Sequence, residues 1–155
     1  MGLRSAAFSR RLSTLSHVVL DSATVIYHLE DIQPWSELTQ RLFDRLASGE
    51  LTGSLSSVSV AEILVKPFES RDAEIVERCE RFLLAIPNVT VVPVSYDVAR
   101  EAARIRAEWG LRTPDSMLVA TATLAGTDGF ITNDGRLGRV AIKGLSIVVL
   151  DDYVT

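Results

Sequence analysis

The chain has 155 residues, of which 47% are hydrophobic, which suits one globular domain with a buried core and argues against intrinsic disorder. Its net charge of −4 at pH 7 argues against a general nucleic-acid binder, although not against a nuclease whose bound metal offsets its acids. The single cysteine, Cys79, excludes an intrachain disulfide. No apolar run approaches the roughly 18 residues of a membrane span. We therefore expect a cytoplasmic protein without a membrane partner.

The first 16 residues differ in composition from the rest of the chain. Residues 1–16 contain Arg4, Arg10 and Arg11, several serines and no acidic residue. The segment lacks the apolar core of a signal peptide, and a mitochondrial transit peptide is the weaker alternative. We therefore predict a flexible N-terminal extension over residues 1–16, or a docking segment for an acidic partner, followed by one domain over residues 17–155.

From residue 17 onward, predicted strands and helices alternate. Short apolar or β-branched runs predict strands over residues 17–21, 51–58, 89–94, 129–132 and 145–150. Apolar residues at helical spacing predict helices over residues 22–30, 35–48, 59–66, 71–86, 98–109 and 114–125. This alternation is typical of an α/β fold in which helices cover both faces of a mainly parallel sheet.

Four acidic residues border the most apolar of these segments. They occur in V-V-L-D-S, S-V-A-E, T-P-D-S and F-I-T-N-D, and are Asp21, Glu62, Asp115 and Asp134. Open parallel sheets bind their ligands beyond the carboxyl ends of the strands, so Asp21 and Asp134 are expected at that edge. The helices of Glu62 and Asp115 begin at the same edge, although the helix of Asp115 follows another helix rather than a strand. The sequence thus predicts one cluster of carboxylates.

Each acid also has a structural explanation. Asp21 can cap the following helix, Glu62 has the capping-box spacing from Ser59, Asp115 suits the helix dipole, and Asn133-Asp134-Gly135 is a turn signal. The four together favour another explanation, because partly buried carboxylates without lysine or arginine partners repel one another unless a cation holds them. Carboxylate oxygens suit Mg²⁺, so a hard divalent ion is the expected cation.

The ordered set V-V-L-D-S-A, S-V-A-E-I, T-P-D-S-M-L-V-A-T-A and F-I-T-N-D resembles the successive motifs of PIN domains, and more narrowly of VapC-like ribonuclease toxins. The resemblance runs from about residue 17 to residue 152. It implies a PIN-like three-layer α/β/α sandwich with a mainly parallel sheet of four to five strands. It also implies that one or two Mg²⁺ or Mn²⁺ ions are held by the catalytic acids Asp21, Glu62, Asp115 and Asp134. Ser22 and Thr132 match neighbouring positions that would orient a water molecule or a carboxylate.

The function implied by the resemblance is that of a metal-dependent endoribonuclease toxin with an RNA substrate, a small antitoxin partner and a homodimeric state. Arg112, Arg136 and Arg139 lie close to the acids in sequence and are candidates for contacts with RNA phosphates, with solvated surface charge as the equal alternative. The competing hypothesis is a catalytically inactive PIN-like module that binds RNA or protein. A phospho-acceptor domain fits poorly, because Asp21 lacks a second acid two residues further on.

Overall fold

A five-stranded sheet forms the centre of the molecule, of which the computed structural model describes residues 4–155. Every neighbouring pair of strands is parallel, in the order β3-β2-β1-β4-β5. The strands are β1 (His17–Leu20), β2 (Thr52–Ser56), β3 (Val89–Val92), β4 (Gly129–Thr132) and β5 (Ser146–Val149). The predicted α/β architecture with a mainly parallel sheet of four to five strands is confirmed.

Seven α-helices within the described part of the chain cover the sheet. They are α1 (Ser5–Ser13), α2 (Ser22–Leu29), α3 (Trp35–Ser48), α4 (Ser57–Glu69), α5 (Ala73–Ala85), α6 (Tyr96–Trp109) and α7 (Thr113–Leu124). Two short 3-10 turns lie at Leu137–Arg139 and Leu150–Tyr153.

The central strand β1 is covered on both faces. Successive side chains of a strand point to opposite faces of the sheet. Val18 and Leu20 accordingly pack into a core with residues from α1 to α5, whereas Val19 packs into a second core with residues of α6 and α7. Burial on both faces explains why β1 reads as a continuous apolar run, and it gives the predicted α/β/α layers.

The order of the strands places a crevice beside β1. The chain runs from β1 outward to β2 and β3, and then returns to β4 on the other side of β1. Ligands of open parallel sheets bind at such a reversal, beyond the carboxyl ends of the strands. Leu20 of β1 pairs with Ile131 of β4, so the residues that follow them, Asp21 and Thr132, lie side by side at the crevice.

The prediction of a flexible N-terminal extension is wrong for the described residues of that segment. Helix α1 places Phe8 and Leu12 in the core with 0% and 1% of their surface exposed. The Phe8 ring packs edge-on against Tyr153, with 5.2 Å between ring centroids. The apolar residues of α1 recur at helical spacing, and this pattern outweighs the basic composition on which the prediction rested. Residues 1–3 lie outside the described part of the chain.

Helix α4 starts earlier and ends later than predicted. Its N-cap is Ser56, whose Oγ accepts a hydrogen bond from the Val58 amide at 3.1 Å. Ser59 therefore lies inside the helix, and the capping box predicted between Ser59 and Glu62 does not form. The helix also continues through Pro67 to its last residue, Glu69. A proline so close to the end removes one intrahelical hydrogen bond and leaves few others to disturb.

The helices of residues 4–155 all belong to this layered fold. None of them has both the length and the apolar character that crossing a lipid bilayer requires.

Candidate metal centre

Asp21 is the buried centre of the predicted acidic site. It follows β1 and is the N-cap of α2, and only 9% of its surface is exposed. Its Oδ1 accepts a hydrogen bond from the Ser22 amide at 2.7 Å, and its Oδ2 accepts one from Thr132 Oγ1 at 2.6 Å. The helix cap and the neighbouring strand thus fix the orientation of the carboxylate, which points along the carboxyl edge of the sheet.

Glu62 reaches the same place from α4. The Ser22 hydroxyl lies between the two acids, 3.3 Å from Asp21 Oδ1 and 3.5 Å from Glu62 Oε2. Ser22 is buried, so its hydroxyl has few alternatives to these carboxylate oxygens. The contacts place Ser22 between two of the four predicted acids and Thr132 against one of them.

Asp115 lies in the first turn of α7 and interacts electrostatically with both of these acids. Burial raises the pKa of Asp21; the hydrogen bonds from Thr132 and Ser22 lower it, and the charge of Asp115 raises it further. Partial burial also raises the pKa of Glu62, and the charges of Asp21 and Asp115 add to this increase. The structure therefore brings three of the predicted acids, from three separate elements, close enough to repel one another.

Asp134 lies beside this group on the segment that follows β4. Its amide donates a hydrogen bond to Thr132 Oγ1 at 3.1 Å, so Thr132 links the backbone of Asp134 to the carboxylate of Asp21. The hydrogen bond from the Arg136 side chain holds the pKa of Asp134 below its ordinary value, and the charge of Arg112 contributes to this lowering. Asp134 therefore stays ionised more readily than Asp21 and Glu62, whose pKa values are raised.

The expectation that the four acids lack arginine partners is wrong for two of them. Arg112 Nε lies 3.0 Å from Asp115 Oδ2, and an Arg136 guanidinium nitrogen lies 2.6 Å from Asp134 Oδ2. The sequence contained a weak signal, because Arg112 lies three residues before Asp115 and Arg136 lies two residues after Asp134. Arg139 is exposed and forms no ion pair within residues 4–155.

Whether these ion pairs block the site depends on their strength. Both guanidinium groups lie at the surface, and exposed ion pairs contribute only about 0–1 kcal/mol because water and side-chain entropy oppose them. Asp21 and Glu62 have no ion pair among the described residues. The arginines therefore offset the charges of Asp115 and Asp134 only weakly. The buried carboxylate of Asp21 has no cationic partner among the described residues.

The donor set matches a hard divalent cation in its chemistry. Four carboxylates offer the oxygen ligands that Mg²⁺ prefers. Burial, with added repulsion between the acids, raises the pKa of Asp21 and Glu62, and a bound cation would offset both effects. Within residues 4–155, no three acidic, histidine or cysteine side chains converge on one point closely enough to coordinate an ion as they are placed. Two of the carboxylates face arginines instead, so coordination requires these side chains to turn.

A second network, which the sequence did not reveal, fixes the segment that carries Asp134. The side-chain Nδ2 of Asn133 donates a hydrogen bond to the Tyr27 hydroxyl at 3.1 Å. Its Oδ1 accepts one from the backbone amide of Asp151 at 2.8 Å. Trp35 donates to the Asp151 carboxylate at 2.7 Å and stacks on Tyr27. The sequence showed Asn133 only as part of a turn, because its partners are distant along the chain.

Several solved structures share this fold. A toxin–antitoxin complex from Klebsiella pneumoniae matches with a TM-score of 0.60 and 22% identity over 83% of this chain and 94% of that chain. VapBC2 from Rickettsia felis, bound to a DNA fragment from its promoter, matches with a TM-score of 0.64 and 15% identity over 86% and 98% of the two chains. DNA-bound VapBC from Salmonella typhimurium gives a TM-score of 0.59 and 20% identity over 87% and 98%.

The sequence itself shows the family to which the chain belongs. No curated protein sequence matches the chain. The family model of the PIN domain, however, matches residues 18–143, which is most of the chain and includes all four predicted acids. The chain therefore belongs to the PIN domain family, a family of nucleases.

Proposed function

We propose that this protein is a metal-dependent endoribonuclease that acts as the toxin of a toxin–antitoxin pair. The observation that supports this most strongly is the buried carboxylate of Asp21, which has Glu62 and Asp115 beside it and no cationic partner of its own among the described residues. In a nuclease, carboxylates arranged in this way would hold a cation next to the phosphodiester bond that is cleaved.

One or two Mg²⁺ or Mn²⁺ ions, held by Asp21, Glu62, Asp115 and Asp134, would supply Lewis acidity and lower the pKa of a bound water. Neighbouring side chains hold the proposed ligands in position. Thr132 and Ser22 orient the Asp21 carboxylate, and Ser22 also lies against Glu62. Arg112, Arg136 and Arg139 would bind the phosphates of the RNA strand, which position it without reading its sequence.

The competing function is a PIN-like module that binds RNA or protein without cleavage. A binding module would gain nothing from a carboxylate at the Asp21 position, because a neutral side chain there would avoid the cost of a buried charge. The raised pKa of Asp21, caused mainly by burial, shows that this cost is present. The arrangement therefore favours catalysis over binding alone.

The cleavage of RNA in Mg²⁺ and in EDTA distinguishes these functions. We expect the wild-type protein to cleave structured RNA in Mg²⁺ and to stop in EDTA. The Asp115→Asn variant should be slower by about 10³-fold or more, because loss of a metal ligand removes several kcal/mol of transition-state stabilisation. Asp97→Asn is the matched control, since Asp97 also lies in the first turn of a helix, α6, but outside the acidic site.

Three outcomes of this experiment would contradict different parts of the proposal. Equal binding of RNA by the wild-type protein and the Asp115→Asn variant, with no cleavage by either, would establish the binding module. Cleavage that persists in EDTA would reject the metal requirement. A comparable loss of activity in Asp97→Asn would show that the measurement reports on charge in general rather than on this site.

For the antitoxin we propose a contact along α4. An apolar stripe at helical spacing, formed by Ala61, Leu64, Val65 and Phe68, lies on the outer face of this helix. Val65 and Phe68 are 53% and 61% exposed, so the stripe presents neighbouring apolar side chains to solvent. The stripe begins beside Glu62, so a peptide with apolar anchors could follow α4 and place an arginine or lysine among the acids.

The probe for that contact is the proposed antitoxin, which we expect to be the product of a short reading frame next to this gene. We expect its affinity for the Phe68→Ala variant to be at least about 10-fold lower than for the wild-type protein, since a buried aromatic anchor is typically worth more than 1 kcal/mol at an interface. Leu84→Ala is the control, because Leu84 is 79% exposed on α5. Equal affinity of all three proteins, measured by calorimetry, would place the contact elsewhere.

We also propose a cytoplasmic homodimer. Sedimentation velocity of the isolated protein tests the dimer, and a monomer mass at micromolar concentration would contradict it.

A further inference from the structure

Both arginines that pair with the acids lie on the solvent side of the site. The side chains of Arg112 and Arg136 are 66% and 59% exposed, whereas those of Asp115 and Asp134 beneath them are 13% and 24% exposed. Within the described part of the chain, neither guanidinium group donates a hydrogen bond to any residue other than its aspartate. Each guanidinium group can therefore turn away without breaking a hydrogen bond to any other described residue.

The charges of the site do not balance without a further cation. When all four carboxylates are ionised, the two guanidinium groups neutralise half of the negative charge, and an excess of two negative charges remains. One divalent cation would neutralise this excess while both arginines stay near the site. A second divalent cation would leave a positive excess, which favours the binding of a phosphate group.

The two ion pairs also occupy the carboxylates that a cation would need. Asp115 accepts from Arg112 through both of its oxygens, at 3.0 and 3.5 Å, and Asp134 accepts from Arg136 through both of its oxygens, at 3.0 and 2.6 Å. Asp21 and Glu62, in contrast, accept only from uncharged groups in the described residues. The four acids thus divide into Asp21 and Glu62, which have no ion pair among the described residues, and Asp115 and Asp134, which are held by arginines.

We propose that Arg112 and Arg136 are built-in counterions, which hold Asp115 and Asp134 until a divalent cation displaces them and which then bind phosphates of the RNA. This inference rests on the proposed ribonuclease function and adds a form of regulation to it. The arginines compete with the cation for the same carboxylates and so weaken its binding in the absence of RNA. RNA that binds the arginines therefore strengthens the binding of the cation. By thermodynamic linkage, the cation strengthens the binding of RNA by the same factor.

Titration of the metal-free, full-length protein with Mn²⁺ tests this competition without any measurement of activity. We expect Arg136→Gln and Arg112→Gln each to bind Mn²⁺ about 3- to 5-fold more tightly than the wild-type protein in isothermal titration calorimetry, because an exposed ion pair no longer has to be broken. The control is Arg139→Gln, which removes the same charge from a nearby arginine without an ion pair. Its affinity should change by less than about twofold.

The reactivity of the arginines gives a second measurement. An arginine-selective dicarbonyl reagent, followed by peptide mass spectrometry, should modify Arg112 and Arg136 several-fold faster after Mn²⁺ is added, and should modify Arg139 at an unchanged rate. Equal Mn²⁺ affinity in the wild-type protein and the Arg112 and Arg136 variants, or arginine reactivity that does not respond to Mn²⁺, would overturn the counterion role and leave the proposed nuclease intact. Absence of Mn²⁺ binding in every variant would instead reject the proposed metal dependence, and this inference with it.

Discussion

Replacement of Asp21 by asparagine is expected to abolish RNA cleavage and, at the same time, to stabilise the metal-free protein. Cleavage should fall by about 10³-fold or more, since Asp21 is the most buried of the four proposed ligands and its loss removes several kcal/mol of transition-state stabilisation. Asparagine is nearly isosteric, and its side-chain oxygen can still accept a hydrogen bond from Thr132 or Ser22. The fold should therefore survive the change.

The expected gain in stability follows from the raised pKa of Asp21, which burial causes. A carboxyl whose pKa is higher in the folded state favours folding fully only below its unfolded value of about 3.8, and this contribution is lost as the pH rises through the folded pKa. At pH 7 the wild-type protein therefore folds with an unfavourable buried charge. Asp21→Asn should stabilise the metal-free protein by about 0.5–2 kcal/mol, the range typical of single stabilising substitutions, and raise the melting temperature by a few degrees.

The pH dependence separates this explanation from a general packing effect. Thermal unfolding of metal-free wild-type and Asp21→Asn proteins should show the difference at pH 7 and a much smaller difference at about pH 3, below the unfolded value of 3.8, where the Asp21 carboxyl is mostly protonated in both states. Asp97→Asn should melt like the wild-type protein at both pH values. A variant that keeps its activity, or that is equally destabilised at both pH values, would contradict the proposed role of Asp21.

The second large effect concerns α1, the helix that was predicted to be a flexible extension. Phe8→Ala should destabilise the protein by about 3–5 kcal/mol, because it removes a fully buried aromatic ring and leaves a cavity between α1 and Tyr153. For a domain of this size the melting temperature should fall by about 6–20 °C. Thermal unfolding followed by circular dichroism measures the change.

Arg10→Ala is the matched control for Phe8→Ala. Arg10 lies on the same helix, but its side chain is exposed and forms no ion pair within the described residues. Its replacement should change the free energy of unfolding by less than about 0.5 kcal/mol. If Phe8→Ala melted within about 2 °C of the wild-type protein, α1 would be a loosely attached segment, as the composition of residues 1–16 had indicated.

The sheet could be predicted because its strands carry a strong local signal. β1 and β4 are short apolar runs that are buried on both faces, and such runs are recognisable without knowledge of their neighbours. Helix α1 was missed because its apolar residues lie among basic residues and serines, and because they pack against parts of the chain that are distant in sequence, such as Tyr153 and α3. Local composition cannot show such partners.

The placement of the acids could be predicted from topology, whereas the state of their side chains could not. Asp21 and Thr132 become neighbours because β1 and β4 pair in parallel register, which the rule for open sheets anticipates. The ion pairs of Asp115 and Asp134 depend on how Arg112 and Arg136 turn at the surface. Sequence spacing allowed these contacts, but it equally allowed the arginines to point towards solvent or RNA.

The most direct test of the proposed centre is a crystal structure of the protein with Mn²⁺, in which anomalous scattering locates the ion. We expect an anomalous peak between Asp21 and Asp115, within coordination distance of at least one oxygen of each carboxylate, with the guanidinium group of Arg112 turned away. The same crystals of Asp21→Asn should lack this peak. An occupied site elsewhere, or no peak while Arg112 remains paired with Asp115, would contradict the assignment of these acids as metal ligands.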